Sequence, residues 1–143
     1  MNLRPAEKKD SKTLFNWRND ESTYRHYLNP NPVSWSEHTK WFEKSLFSQD
    51  RQIYLAEVNK EVVGMARVDK KENNYELSWV IDPKFRGKGY GKQMLNQIIG
   101  ISHGCLLARI KTDNVPSLAM ARSLGFRCVS PEGTLFSEWV LEK

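Results

Sequence analysis

Gly87, Gly89 and Gly91 stand at alternate positions in Arg86-Gly87-Lys88-Gly89-Tyr90-Gly91, a stretch suited to holding an anion. Glycine removes the side chain, so main-chain N–H groups can come close to a ligand. Residues 75–81, just before it, have the apolar character of a strand, and residues 92–101 repeat apolar positions at helical spacing. A strand–loop–helix junction aims loop amides and the positive end of a helix dipole at one point. Arg86, Lys88 and Lys92 add positive charge around that point. The chemistry such a junction suits is cradling a pyrophosphate. Two common phosphate loops do not fit. Gly91-Lys92 is followed by Gln93 rather than Ser or Thr, and the glycine spacing is Gly-x-Gly-x-Gly rather than Gly-x-Gly-x-x-Gly. Taken alone, the hexapeptide also reads as a glycine-rich turn capping a surface helix.

The elements that must position this loop follow from the pattern on either side. Residues 2–5 read as an opening strand, and Asp10 or Ser11 as the cap of a helix running to about residue 19. Residues 21–28 form a second short helix, which Asn29-Pro30-Asn31-Pro32 must end because proline has no N–H and restricts its predecessor. Ser34 and Glu37 make a capping box, followed by Trp35, His38, Trp41, Phe42, Ser45 and Leu46 at helical spacing. Residues 51–58 and 61–68 alternate as a hairpin about Asn59-Lys60, and a turn over 70–74 leads to the strand 75–81. After the glycine loop, Met94, Leu95, Ile98 and Ile99 make one helical face. Residues 106–111 read as a strand, and Asn114-Val115-Pro116 opens a helix that Gly125 stops. Residues 126–129 and 135–141 are closing strands. The order describes a single α+β, or mixed α/β, domain over residues 1–143, with helices on the faces of a sheet.

The Arg-x-x-Gly-x-Gly of residues 86–91, with Asp82-Pro83 just upstream, resembles the coenzyme loop of the GNAT N-acyltransferases. A second stretch carries the same resemblance: Asn114, Ser117 and then Leu124-Gly125-Phe126 match the family's Asn-x-x-Ser…Leu-Gly-Phe pattern. The likeness runs over essentially the whole chain and is most specific from residue 75 to residue 126. It implies a central mixed, mostly antiparallel twisted sheet of six to seven strands with helices on both faces. It implies acetyl-CoA as co-substrate and no metal. The amides of Arg86, Gly87, Lys88, Gly89, Tyr90 and Gly91 would hold the coenzyme's diphosphate. The main chain of Trp79, Val80 and Ile81 would pair with the pantetheine arm, provided that the next strand splays away. Asn114 and Ser117 would also face the coenzyme, although Asn114 reads equally well as a simple helix cap. Many relatives place a tyrosine seven residues after this asparagine as general acid; here that position is Ala121.

The reaction implied is attack of a neutral primary amine on a thioester, which needs a base, an oxyanion donor and proximity. Glu76, ten residues before Arg86, is the candidate base, directly or through a water; the other reading is a glutamate on the solvent face of a strand. The N-terminal third would shape the acceptor site. Trp17 and Arg18, with His38 in the Trp35-x-x-His38-x-x-Trp41-Phe42 run, are the candidate acceptor contacts. An arginine can pair with a diphosphate, and aromatics can stack on a base or sugar. Trp35, Trp41 and Phe42 also read as core residues, and His38 as a satisfied, half-buried histidine. These segments resemble the branch acting on nucleotide-linked amino sugars in surface-sugar pathways, such as a UDP-4-amino sugar. A RimL-like acetyltransferase of protein N-termini and a non-catalytic acyl-CoA-binding module are the alternatives. Homodimers are common in the family, so the resemblance leaves a homodimer open.

Composition agrees with such a chain. It has 143 residues and a formal net charge of +5, with Lys and Arg scattered rather than clustered. That balance suits an anionic small molecule and carries no nucleic-acid-binding motif. No apolar run is long enough to span a bilayer, and residues 1–7 have no signal-peptide apolar region, so a cytoplasmic protein with no membrane partner is expected. Cys105 and Cys128 lie far apart without metal-site spacing and are expected to be buried free thiols.

Overall fold

Alternating side chains of the strands serve two separate cores, one on each face of the sheet. In β2 (Arg51–Val58), Ile53 and Leu55 pack on one face, while Tyr54, Ala56 and Val58 pack on the other. In β4 (Asn74–Ile81), Tyr75, Leu77, Trp79 and Ile81 serve the second core, whereas Val80 turns to the first. The computed structural model describes residues 1–142. Its other strands are β1 (Asn2–Pro5), β3 (Glu61–Lys71), β5 (Cys105–Lys111), β6 (Arg127–Cys128) and β7 (Phe136–Leu141). Its helices are α1 (Ser11–Arg18), α2 (Glu21–Tyr24), α3 (Trp35–Phe47), α4 (Tyr90–Ile101) and α5 (Val115–Ser123).

The seven strands run in the order β1-β2-β3-β4-β5-β7-β6, and every neighbouring pair is antiparallel except β4–β5. The mixed, mostly antiparallel sheet expected from the sequence is therefore present. The larger core joins Leu77, Leu106, Ala108 and Trp139 to Met94, Leu95 and Ile98 of α4 and Ala121 of α5. Leu14 and Trp17 of α1 and Phe42 of α3 make the smaller one with Ile53 and Leu55. Full burial of each large aliphatic side chain contributes about 1.5–3 kcal/mol, so the two layers hold helices against both faces of the sheet.

Several local features differ from the sequence expectations. α2 stops at Tyr24, well short of residue 28, and the chain goes on as turns through Tyr27. α4 starts at Tyr90, two residues early, because Gly89 adopts φ 81° and ends the loop in a left-handed residue. Asp10 does not cap α1 with its side chain. It accepts two 2.8 Å bonds from Arg4 and one of 2.8 Å from the Glu7 N–H. Cys105 is half-buried and Cys128 exposed, so the thiols are free but, contrary to expectation, neither is fully buried. No helix among the described residues is long and apolar enough to cross a membrane, and those residues contain no metal-binding cluster of His, Cys, Asp and Glu.

Asp10 is 5% exposed and ties β1 to the start of α1. Burial pushes its carboxyl up, but the Arg4 guanidinium and the Glu7 N–H outweigh that and hold it below the usual carboxylate range. A depressed carboxyl contributes stability above its unfolded value and loses it as pH falls through the folded one. Arg4→Ala should therefore cost about 2 kcal/mol at neutral pH, with the deficit shrinking below roughly pH 4, as chemical denaturation at both pH values would read.

Candidate active site

β4 and β5 pair only from Asn74–Cys105 to Glu76–Leu107, although β4 continues to Ile81 and β5 to Lys111. Beyond Glu76 the two strands part, because β4 stays in register with β3 as far as Ile81 while β5 follows β7. The splay that the coenzyme arm requires is therefore built into the sheet. The polarity of the exposed edge follows from strand alternation. Asp82 donates its N–H to Val63 O (2.9 Å), so even-numbered residues of β4 turn their amides to β3. The amides of Trp79 and Ile81 consequently face the slot, and that of Val80 does not. Val80 is limited to a side-chain role in the cavity wall.

The glycine loop closes one end of the slot. Gly87 and Gly89 have φ of 79° and 81°, and a Cβ at either would meet nothing within 4 Å. Glycine is required there by backbone conformation, and the surface above it is open. The first turn of α4 leaves its amides without acceptors inside the helix, beside the exposed Lys88 and Lys92. Gly91 has a different reason. It is buried, and a Cβ there would lie 2.7 Å from Met120 Cε and 3.5 Å from Ile81 Cγ1, so it lets α4 pack close to α5 and β4. Open main chain, left-handed glycines and a helix N-terminus beside a split strand pair fit a diphosphate followed by an amide-bearing arm.

Arg86 does not point at that anion position. Its Nε donates to Ile81 O (3.0 Å), and its Nη atoms donate to Ser22 Oγ (2.6 Å) and Thr23 Oγ1 (2.9 Å). Ser22 is in turn held by Asp20, the N-cap of α2. On the other arm of the split, Lys111 Nζ donates to Arg25 O (2.9 Å), and His26 Nδ1 lies 3.6 Å from Asp113. The segment around α2 thus bridges both strands across the mouth of the slot, a contact the sequence pattern did not signal. Arg86→Ala should raise the acceptor KM about 10-fold, the worth of one or two hydrogen bonds. Acetyl-CoA affinity should change much less; steady-state kinetics beside calorimetry would check this.

A cavity of about 680 Å³ lies between α1, α3 and the split strands. Glu76, Ser78, Trp79, Val80, Asn114 and Ser117 line it on the sheet and α5 side, and Trp17, Arg18, Tyr27, His38 and Trp41 on the helical side. Every expected acceptor contact and the expected base therefore border one space, together with the slot-facing strand. Glu76 is 19% exposed and sits 3.6 Å from Arg109 Nη2. Asn114 Oδ1 accepts from the Ser117 N–H at 3.4 Å, which is the helix-cap reading, and its amide group still borders the cavity. Ala121 is fully buried in the larger core and presents nothing to the slot. Trp17 is 5% exposed and packs with Leu14 and Phe42, so it is a core residue with one side on the cavity. His38 donates from Nε2 to Ser11 O (2.9 Å), as a satisfied histidine does, and burial holds its pKa below the ordinary value. Of the three rings read as core, Phe42 is buried and Trp41 half-buried, but Trp35 is 46% exposed. Tyr27, Arg67 and Arg109 border the cavity without having been expected there; only the register of β3–β4 and β5–β7 puts the two arginines on this face.

A split parallel pair, a glycine-capped helix and a cavity bordered by a carboxylate are the parts that an acyl-coenzyme A transferase site needs. Residues 1–127 match the model for the acetyltransferase (GNAT) domain, and the chain belongs to that family. It is 27% identical to the L-amino acid N-acyltransferase MnaT of Escherichia coli (strain K12), covering 98% of this chain and 89% of that one. The fold matches spermidine N-acetyltransferase from Vibrio cholerae, in complex with CoA and spermine, with TM-score 0.87, 14% identity, and coverage of 99% and 94%. It also matches yncA, a putative acetyltransferase from Salmonella typhimurium with its cofactor acetyl-CoA, with TM-score 0.80, 21% identity, and coverage of 99% and 93%. The protein is a GNAT-type N-acetyltransferase.

Proposed function

We propose that the chain acetylates the primary amine of a small molecule bound in the cavity between α1, α3 and the split strands. The single observation that carries this reading is the position of Glu76, at the point where β4 and β5 part and on the border of both slot and cavity. Acetyl-CoA supplies the activated acetyl thioester. Gly87 to Gly91 offer amides to its diphosphate, and the Ile81 N–H offers a partner to its arm. Glu76 takes the proton from the incoming ammonium, directly or across one water, so that a neutral amine attacks. The slot-facing Trp79 N–H supplies a fixed dipole where negative charge grows on the carbonyl oxygen. With Ala121 in the core, no side chain of α5 beyond Ser117 is placed to protonate the leaving thiolate, and solvent at the slot serves that purpose.

Trp17 and His38 form the inner wall for the acceptor, and Arg18 lies at its rim. The segment from α2 to residue 33 folds over this wall. Asn19 exchanges two 2.8 Å bonds with the main chain of Val33, and Arg18 donates to Asn31 O at 3.1 Å. A roof tied down in this way favours a compact acceptor over an extended peptide. A nucleotide-linked amino sugar and a free amino acid, the substrate class in MnaT's name, are both compact amines. The test is release of free coenzyme A from acetyl-CoA with a panel of UDP-4-amino sugars, amino acids, polyamines and short peptides. Turnover is expected with a small amine. Turnover with peptides alone would replace this reading with that of a protein N-terminal acetyltransferase.

A further inference from the structure

The charges around the cavity do not balance. Arg18, Arg67, Arg109 and Lys111 border it against only two carboxylates, Glu37 and Glu76. Burial holds the pKa values of His26 and His38 below the ordinary one, so neither adds positive charge to the cavity at neutral pH. Two of these cations face a carboxylate: Arg67 donates to Asp69 (3.0 Å) and Arg109 faces Glu76 (3.6 Å). Lys111 donates to a main-chain carbonyl, Arg25 O (2.9 Å). Of the arginines, Arg18 is different. Among the described residues no carboxylate reaches it within ion-pair distance; it stacks on the Tyr27 ring at 4.5 Å and donates one bond, to Asn31 O at 3.1 Å.

A half-buried guanidinium is costly to leave without an acid, and most of its five donors remain for use. Burial accordingly holds the Arg18 pKa below its ordinary value, with Tyr27 and Glu37 only partly opposing. The guanidinium lies over the Tyr27 ring with one Nη bonded to Asn31 O, and a planar guanidinium with unused N–H groups is suited to a carboxylate or phosphate.

Resting on the acceptor reading given above, we propose that Arg18 anchors a carboxylate or phosphate on the acceptor. The site then selects amines that carry their own negative charge. A surplus of cations also lowers the pKa of an ammonium brought among them, which assists its loss of a proton to Glu76. The same surplus repels a polycation, so this chain discriminates against polyamines although its fold matches a spermidine acetyltransferase.

The test uses two matched pairs of amines: L-phenylalanine against 2-phenylethylamine, and glucosamine 6-phosphate against glucosamine, with spermidine as the polycation. Binding to the full chain with coenzyme A present is followed by calorimetry, and coenzyme A release is measured separately. In at least one pair the anionic member should bind about 10- to 100-fold more tightly than its partner, and spermidine more weakly than that member. The pair that shows the ratio tells a carboxylate from a phosphate. Arg18→Gln should bring the ratio close to one, while Arg18→Lys retains part of it. The wild-type ratio should also shrink as salt rises, a measurement that stands even if a variant does not fold. Equal binding within both pairs, a preference for spermidine, or a ratio that survives in Arg18→Gln would overturn the proposal. Anion preference in binding with no coenzyme A release from any amine would uphold Arg18 as the anchor and bring down the acetyltransfer reading of Glu76 instead.

Discussion

Replacing Glu76 with Gln is expected to lower kcat by about 10²- to 10³-fold, the usual worth of a positioned general base, and to leave acetyl-CoA affinity unchanged. The two effects separate because the residue and the coenzyme use different sides of β4. The Glu76 side chain borders the cavity next to Arg109, whereas the coenzyme is offered main-chain groups of Trp79 and Ile81 and the loop after the strand. Glutamine keeps the size of the side chain but loses the negative charge, and with it the ability to accept a proton. The 57% exposed Arg109 keeps its water, so the fold should not pay for the change. Rates measured across pH give the decisive reading. The wild-type acid limb should vanish in the variant, and a variant with wild-type rates at every pH would remove Glu76 from the base role.

Gly89→Glu is expected to weaken acetyl-CoA binding at least about 100-fold, through two effects that add. A side chain at φ 81° strains the backbone by about 1–2 kcal/mol. A carboxylate at the N-cap of α4 then sits where the diphosphate needs positive potential, and like charges brought together in a bound state cost more than the helix dipole returns. Gly89→Ala carries the strain without the charge and should fall between the variant and the wild type. Because nothing lies within 4 Å of the added Cβ, the fold should survive, which thermal unfolding can confirm before calorimetry is run. Undiminished affinity in Gly89→Glu would move the diphosphate elsewhere and with it the assigned geometry of the slot.

The local signals that were legible share a physical origin. Ser34 and Glu37 lie three apart and cap α3 as their spacing requires, with Ser34 Oγ accepting from the Glu37 N–H at 3.1 Å. Apolar alternation over residues 51–58 placed Ile53 and Leu55 on one face because successive side chains of a strand must point opposite ways. The signals that misled were those with a tertiary competitor. Asp10 has the right type and place for a cap of α1, but Arg4, six residues earlier, offers two charge-assisted bonds in a buried setting, and these win. Arg86 sits in a loop that reads as basic, yet the hydroxyls of Ser22 and Thr23, more than sixty residues away, claim its guanidinium.

The strand–glycine–helix junction, the order of elements and the residue types around the site were legible along the chain, because turn chemistry, capping and periodicity act over a few residues. It took the packed chain to part β4 and β5 after Glu76, to turn the Trp79 and Ile81 amides to the gap and that of Val80 away, and to leave Arg18 without a carboxylate partner among the described residues. Those facts depend on which strand lies beside which and in what register, and on pairings between segments far apart along the chain. No local pattern encodes a partner that has not yet been brought near.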